Sequence, residues 1–443
     1  TIARNIVSTG EWFKLDSWVP DFAPAFAEHT HLGFWTLAFF AKVVGPWDWA
    51  LRIPGHVFYV LFLFAFFRFI KSIVSEKTAV VSVIYLWTLP VFSNYFSNTY
   101  LDPGCLFYGF LSFYFLFKGA TDFKRSDLLA GALSGLFLAL VVLQKGLTVL
   151  GFGLPLAYAS YFFLKNRGLL RTTLSYLALF LVFGLVLFWY YSSVQKSQDP
   201  DFFQRYFDRQ FYNRFAQTTS VANLFSSRFW SRLVSDSHFI SIAGLGWILV
   251  GLFFTKTKGW SHQIGIPFVF LASFILLYAP TQRIGLQYWM MIVPWIAWAT
   301  AAALSKFIPW NPTSMVRFTG KLSLILVALI QYLPFRTHRT LENESAAAIR
   351  KFKALSLVNL QIIDDVPDLL HFVTGCTYAW YGNTPVEYSS LENPILPKPS
   401  PNTALILRKP EAFRIEAAKN AGWCLYESYP KETLMLHCST AKH

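Results

Sequence analysis

Two ionisable residues stand where so apolar a chain has reason to avoid them. Asp102 sits in NTYLDPGCL and Lys145 in VVLQKGLTVLGFGLP, each at the edge of a long apolar run. Charged groups at membrane depth are costly, so each is a candidate for function. A carboxylate there can accept a proton or orient a base. An ammonium there wants a carboxylate or a phosphate as partner. Ordinary roles compete with both. Asp before Pro caps a helix well, and a lysine at a helix end can reach out to lipid headgroups. A third group is EHTHLGFW, which places Glu28, His29 and His31 close together. Carboxylate and imidazole could hold a divalent metal, with His238 as a further ligand. An interfacial polar cluster explains the same residues. The fourth is APTQRIGLQYWMMIVPW, where Arg283, Gln287 and Tyr288 could meet an anionic headgroup or belong to an aromatic belt.

These residues need elements to carry them, and composition says what kind. The 443 residues are 54% hydrophobic and 19% aromatic, with 46 Phe and only 14% charged. A soluble protein of this size carries about 25% charged residues. A water-soluble fold could not hide so much apolar surface, so the natural solvent is a membrane. The net charge of +14 then reflects Lys and Arg near lipid headgroups rather than nucleic-acid binding. No Gly-rich phosphate loop, zinc-type Cys spacing or basic low-complexity tail argues otherwise.

About ten stretches are long and apolar enough to span. They lie near 52–70, 78–95, 103–118, 127–143, 147–164, 173–191, 238–254, 263–280, 285–304 and 321–335. With the segment before Arg52 outside, the inner loops collect Arg68, Lys71, Lys77, Lys118, Lys124, Arg125, Lys165, Arg167, Arg171, Lys256, Lys258, Lys306, Arg317 and Lys321. The short outer loops hold Lys145 and Arg283. The positive-inside rule therefore orients the bundle. Every chemical candidate lies at its outer end. Two outer regions are longer. Residues 1–51 hold an apolar run from His31, too short to span, and the segment TIARNIVSTG. Both read as interfacial helices, the second with Ile2, Ile6 and Val7 on one face. Residues 192–237 include DFFQRYFDRQFYNRF, an amphipathic helix whose Arg residues either snorkel or grip a phosphorylated lipid. An outer residue 1 also predicts a span ahead of Thr1.

From about Arg336 charges return. LVNLQIID and NTALILRK read as strands, residues 344–355 and PEAFRIEAAKNAG as helices, and WCLYESYPKETLMLHC as a hairpin turning at Pro430–Lys431–Glu432. Cys424 and Cys438 fall opposite each other there. They read as a disulfide or as two buried thiols, with Cys376 as another possible partner. The expected architecture is an all-α polytopic membrane domain over 1–335 and a small soluble α/β domain over 336–443 on the outer face.

The order of motifs resembles the GT-C membrane glycosyltransferases of the ArnT-like and protein O-mannosyltransferase-like group. IARNIVSTGEW is similar to that family's first-loop pattern A-x-x-A-R-N-M-x-x-x-G-x-W. EHTHLGFW keeps Glu28, Leu32 and Trp35 of the next element but replaces its Pro-Pro core. WDWALRIPGHVF, NTYLDPGCLFYGFL, LQKGLTVLGFGLP and QYWMMIVPWIAWATA follow in family order, putting Asp102, Lys145, Gly146 and Pro155 on family positions. The resemblance implies a GT-C-like bundle and transfer of a sugar from a polyprenyl-phosphate donor. The acceptor would be a lipid A-like lipid, a glycan or a protein, at the outer face of a bacterial inner membrane. It implies a main acidic base in the first loop, expected a few positions before Ile2. Lys145, Arg283, Tyr288 and His29 would face the donor phosphate. Asp102 would serve as base or hold the base or a metal in place, and Glu28, His31 and His238 would be the metal candidates. Two other classes are weighed against this: a transporter of lipid-linked sugars, and an inactive relative that binds a partner. A transporter should show midplane charges and inverted repeats, which the sequence lacks.

Overall fold

In a bilayer, apolar stretches of this length can satisfy their backbone only as helices. The computed structural model describes residues 2–15, 27, 29–45, 48–88, 101–122, 126–197, 199–210, 262–278, 290–304, 359–364, 386–390, 403–408, 412–428 and 432–438. In chain order its first helices are α1 (Ile2–Thr9), α2 (Leu32–Val44), α3 (Asp48–Ile73), α4 (Glu76–Thr88), α5 (Asp102–Thr121) and α6 (Asp127–Lys145). A 3-10 turn at Gly146–Phe152 leads into α7 (Gly153–Arg167). Then come α8 (Leu169–Gln195), α9 (Phe202–Phe207), α10 (His262–Tyr278) and α11 (Val293–Leu304). The expected spans at 238–254 and 321–335 lie outside the described residues. So do residues 344–355.

The chain divides into two units, Ala27–Ala328 and Thr1–Phe26 with Leu329–His443. In the first, three described stretches are long and apolar enough to cross a bilayer: Ala50–Ile73, Asp127–Arg167 and Leu169–Gln195. This is an integral membrane protein. The middle stretch runs to 41 residues, about twice what a bilayer needs, and the 3-10 turn divides it into two passes. Contacts at the helix ends fix the directions. α5 begins and α6 ends together, through Asp102 and Lys145. At the other end Arg167, closing α7, donates to the carbonyls of Gly119 and Asp122 where α5 stops. It also faces Asp127, where α6 starts, at 3.6 Å. α5 and α6 have 20 and 19 residues, each about 30 Å long, so the chain returns to the level it left.

α6 and α8 run parallel and touch closely. Gly131 and Gly135 bring α6 against the main chain of α8, where added Cβ atoms would strike the carbonyl oxygens of Ser175 and Leu179. Small residues four apart are how membrane helices approach without a hydrophobic drive. α3 packs along α5 through aromatic rings. Phe62 and Phe66 meet Phe110, and Phe69 meets Phe113 and Phe117. α10 and α11 complete this core with Phe270 stacked on Trp295 at 3.5 Å, the indole N–H donating to the Met291 carbonyl. α2, with 13 residues, spans about 20 Å and is too short to cross. It matches the apolar run read from His31.

The other unit contains α1 and a sheet. α1 buries Ile2, Ala3, Asn5 and Ile6. The strands β1 (Asn359–Asp364), β2 (Val386–Ser390), β3 (Thr403–Arg408), β4 (Trp423–Ser428) and β5 (Glu432–His437) lie in the order β2-β1-β3-β5-β4. β1 pairs parallel with β2 and β3, while β5 runs antiparallel to β3 and β4. Residues 404–407 of β3 are all buried, as a central strand covered on both faces requires. α12 (Ala412–Asn420) packs Ala418 into a core with Leu405, Leu407, Trp423 and Met435. The hairpin β4–β5 is the one read from sequence, and Cys424 and Cys438 form a disulfide. Cys376 lies outside the described residues. β2 escaped the sequence reading: VEYSS offers only Val386 and Tyr388 as strand formers.

Candidate active site at the Asp102 end of the bundle

The α6–α7 break makes the site. At Gly146 the chain turns at φ 59, a left-handed conformation that favours glycine. The hydroxyl of Tyr206 occupies the space a Cβ at Gly146 would need. The last residue of α6, Lys145, is thereby placed against the first turn of α5. Its Nζ lies 2.6 Å from Asp102 Oδ1, and the two side chains are 9% and 2% exposed. The simple capping role for Asp102 gives way here. Leu101 holds the cap position, and the Asp102 carboxylate turns to Lys145. The lysine does not snorkel, because its partner is within the protein. A pair this buried is held by mutual attraction that must offset two desolvation penalties, and removing either partner strands the other.

Polar and aromatic residues close around the pair. Gln144 donates its amide to the Leu101 carbonyl at 3.1 Å. Thr30, just ahead of α2, donates to the Val142 carbonyl at 2.7 Å. His31 is fully buried, with Nδ1 2.6 Å from the Tyr190 hydroxyl near the end of α8. Its ring meets Phe202 of α9 edge-on at 4.5 Å, and Phe202 stacks on Tyr206. The Tyr206 hydroxyl accepts the Leu147 N–H at 3.3 Å. Arg205, from the predicted amphipathic stretch, pairs with Asp199.

Of the residues singled out from sequence, the structure brings Asp102 and Lys145 into contact and sets His31 among the surrounding aromatic rings. His29 is half-buried in the same segment. Glu28, His238, Arg283 and Tyr288 lie outside the described residues. Among the described residues no three His, Cys, Asp or Glu side chains gather as a metal centre would need, and the Nδ1 of His31 is engaged by Tyr190. Thr30, Gln144, Tyr190 and Tyr206 were not singled out. Uncharged polar and aromatic residues are common at membrane interfaces, so only their tertiary contacts mark them.

The helical membrane unit and the small sheet define an ArnT-like GT-C fold. The chain is similar throughout to two crystal structures of ArnT from Cupriavidus metallidurans, one bound to undecaprenyl phosphate and one in the apo state. Each has a TM-score of 0.70 and covers 99% of this chain, with 11% and 13% sequence identity over 93% and 92% of the ArnT chain. The model of the dolichyl-phosphate-mannose-protein mannosyltransferase family matches residues 28–191. That stretch holds Asp102, Lys145 and the Thr30, His31 and Tyr190 contacts around them. No curated protein matches the chain. The structural likeness shows the fold, and the family match falls on the part of it that holds the Asp102–Lys145 end.

Proposed function

We propose that this chain transfers a sugar from a polyprenyl-phosphate donor to a lipid A-like lipid, a glycan or a protein, at the outer face of a bacterial inner membrane. The single observation that carries the reading is the buried Asp102–Lys145 contact at one end of a GT-C bundle. In such a reaction the bond from the anomeric carbon to the phosphate oxygen breaks. The oxygen stays with the lipid, which leaves as a phosphate monoester carrying one more negative charge. Lys145, held against Asp102, would neutralise that charge as it forms. The acceptor oxygen bonds to the anomeric carbon, and its proton passes to a carboxylate. Asp102 either accepts that proton or holds the main acidic group in place. Arg283, Tyr288 and His29 would complete the phosphate contacts. The donor's hydrocarbon tail requires the site to open toward the bilayer.

Orientation is supported by charge. Lys118, Lys165, Arg167 and Arg171 all fall near the helix ends away from Asp102, the side expected inside. The disulfide in residues 336–443 supports an oxidising compartment for that domain. The transporter reading has less support, because the ionisable pair sits at one end of the bundle rather than midway. A divalent cation held by Glu28, His31 and His238 is a separate proposal. Loss of turnover in EDTA, restored by added cation, would uphold it, and unchanged turnover would remove it.

The test is incubation of the purified full-length protein with polyprenyl-phosphate sugars and candidate acceptors. Asp102→Asn and Lys145→Ala should both lose turnover while remaining folded. Full activity in both would refute these assignments and leave the fold intact.

A further inference from the structure

Three uncharged side chains, from different parts of the fold, tie down the turn that carries Lys145. Thr30 holds the Val142 carbonyl at 2.7 Å. Gln144 reaches across to the Leu101 carbonyl at 3.1 Å, in the peptide that supplies the backbone N of Asp102. Tyr206, on α9, accepts the Leu147 N–H at 3.3 Å. The contacts bracket Lys145 along its own chain, and one of them reaches the backbone next to its partner.

Gln144 is the most telling of the three. It is 2% exposed, and its Oε1 has no hydrogen-bond partner among the described residues. A Cβ at Gly104 would fall 2.6 Å from its Nε2, so the amide fills that space tightly. Packing alone would be better served by Leu or Met, which leave no buried acceptor unmet. The amide therefore has a use that packing does not supply. Lysine has a long flexible stem and readily finds the headgroup region. Keeping its ammonium on one carboxylate oxygen requires both backbones to be fixed, since small displacements of a reacting group carry large rate penalties.

We infer that Thr30, Gln144 and Tyr206 are positioning residues that hold Lys145 against Asp102, and that turnover depends on them through the lysine. The dependence of turnover rests on the reading of Lys145 as the donor-phosphate partner. The hold on Lys145 does not, and it is measured separately.

The experiment uses the full chain purified in nanodiscs, with Gln144→Met, Tyr206→Phe, Thr30→Val and Thr30→Ser. One readout is the rate at which an amine-reactive reagent labels Lys145, followed by mass spectrometry with Lys71 and Lys165 as internal controls. The other is steady-state release of polyprenyl phosphate from a polyprenyl-phosphate sugar. Gln144→Met should label Lys145 several-fold faster with the controls unchanged. Its kcat should fall roughly tenfold with KM near the wild-type value. Tyr206→Phe and Thr30→Val should shift both readouts the same way by less. Thr30→Ser keeps the hydroxyl and should behave as wild type. A merely structural role would lower thermal stability without selective labelling of Lys145. Wild-type labelling of Lys145 in Gln144→Met and Tyr206→Phe would overturn the inference. So would faster labelling with an unchanged kcat. If the wild type itself shows no turnover, the functional reading fails and the labelling rates alone decide the hold.

Discussion

A basic side chain closes each end of the α5–α8 run, and the two are built differently. Arg167 spreads its guanidinium over main-chain carbonyls, donating from Nε and Nη2 to Gly119 at 3.1 and 2.8 Å and from Nη2 to Asp122. Its side chain is 1% exposed, and Asp127 lies 3.6 Å away. Lys145 instead meets a side chain, the Asp102 carboxylate at 2.6 Å. A cation bonded to the end of a helix cannot leave without unmaking that end. A cation bonded to a carboxylate can trade it for a phosphate without unmaking a helix end, although deleting the cation outright strands the carboxylate and costs stability as well. The comparison separates a charge that builds the bundle from one that can work in it.

The largest expected effect falls on the Lys145 side. Lys145→Ala should lower turnover by about a hundredfold or more, measured as sugar transfer at saturating donor, while the protein still purifies as a single species. Arg167→Ala should do the reverse, costing about 3–5 kcal/mol of stability as read by thermal unfolding, with kcat of the folded fraction little changed. Arg167→Lys sharpens the point. It keeps the charge but loses the fork, so about 1–2 kcal/mol should disappear in the same assay. Gly131→Val forces α8 away from α6 at the Ser175 carbonyl and should cost about 1–3 kcal/mol. The smallest effect belongs to Lys71→Ala. Its pair with Glu76, at 2.9 Å, is 45% and 52% exposed, and such pairs contribute about 0–1 kcal/mol.

Asp102 and Lys145 were each legible in sequence because a charge at that depth is expensive. Asp102 and Lys145 are ionisable groups at the margins of apolar runs, and two passes of equal length must return to one level. The hairpin holding Cys424 and Cys438 was legible from its alternation and turn residues. The sequence left Asp102 open between a helix cap and a chemical role, and only the partner supplied by α6 draws its carboxylate away from the cap. Thr30, Gln144 and Tyr206 could not be picked out. Each is ordinary at a membrane interface, and each takes its role from a backbone group distant in sequence or from a helix it does not belong to. The close α6–α8 approach was equally hidden, since GALSG signals contact without naming the partner helix.

Ligand-induced stabilisation tests the central claim most directly. Undecaprenyl phosphate, added at about a hundred times its dissociation constant, should stabilise the wild type by about 2.7 kcal/mol. Arg167→Lys should show the same gain from its lower baseline, and Lys145→Ala should show almost none. An equal gain in Lys145→Ala would contradict the account, because the phosphate would then be held elsewhere.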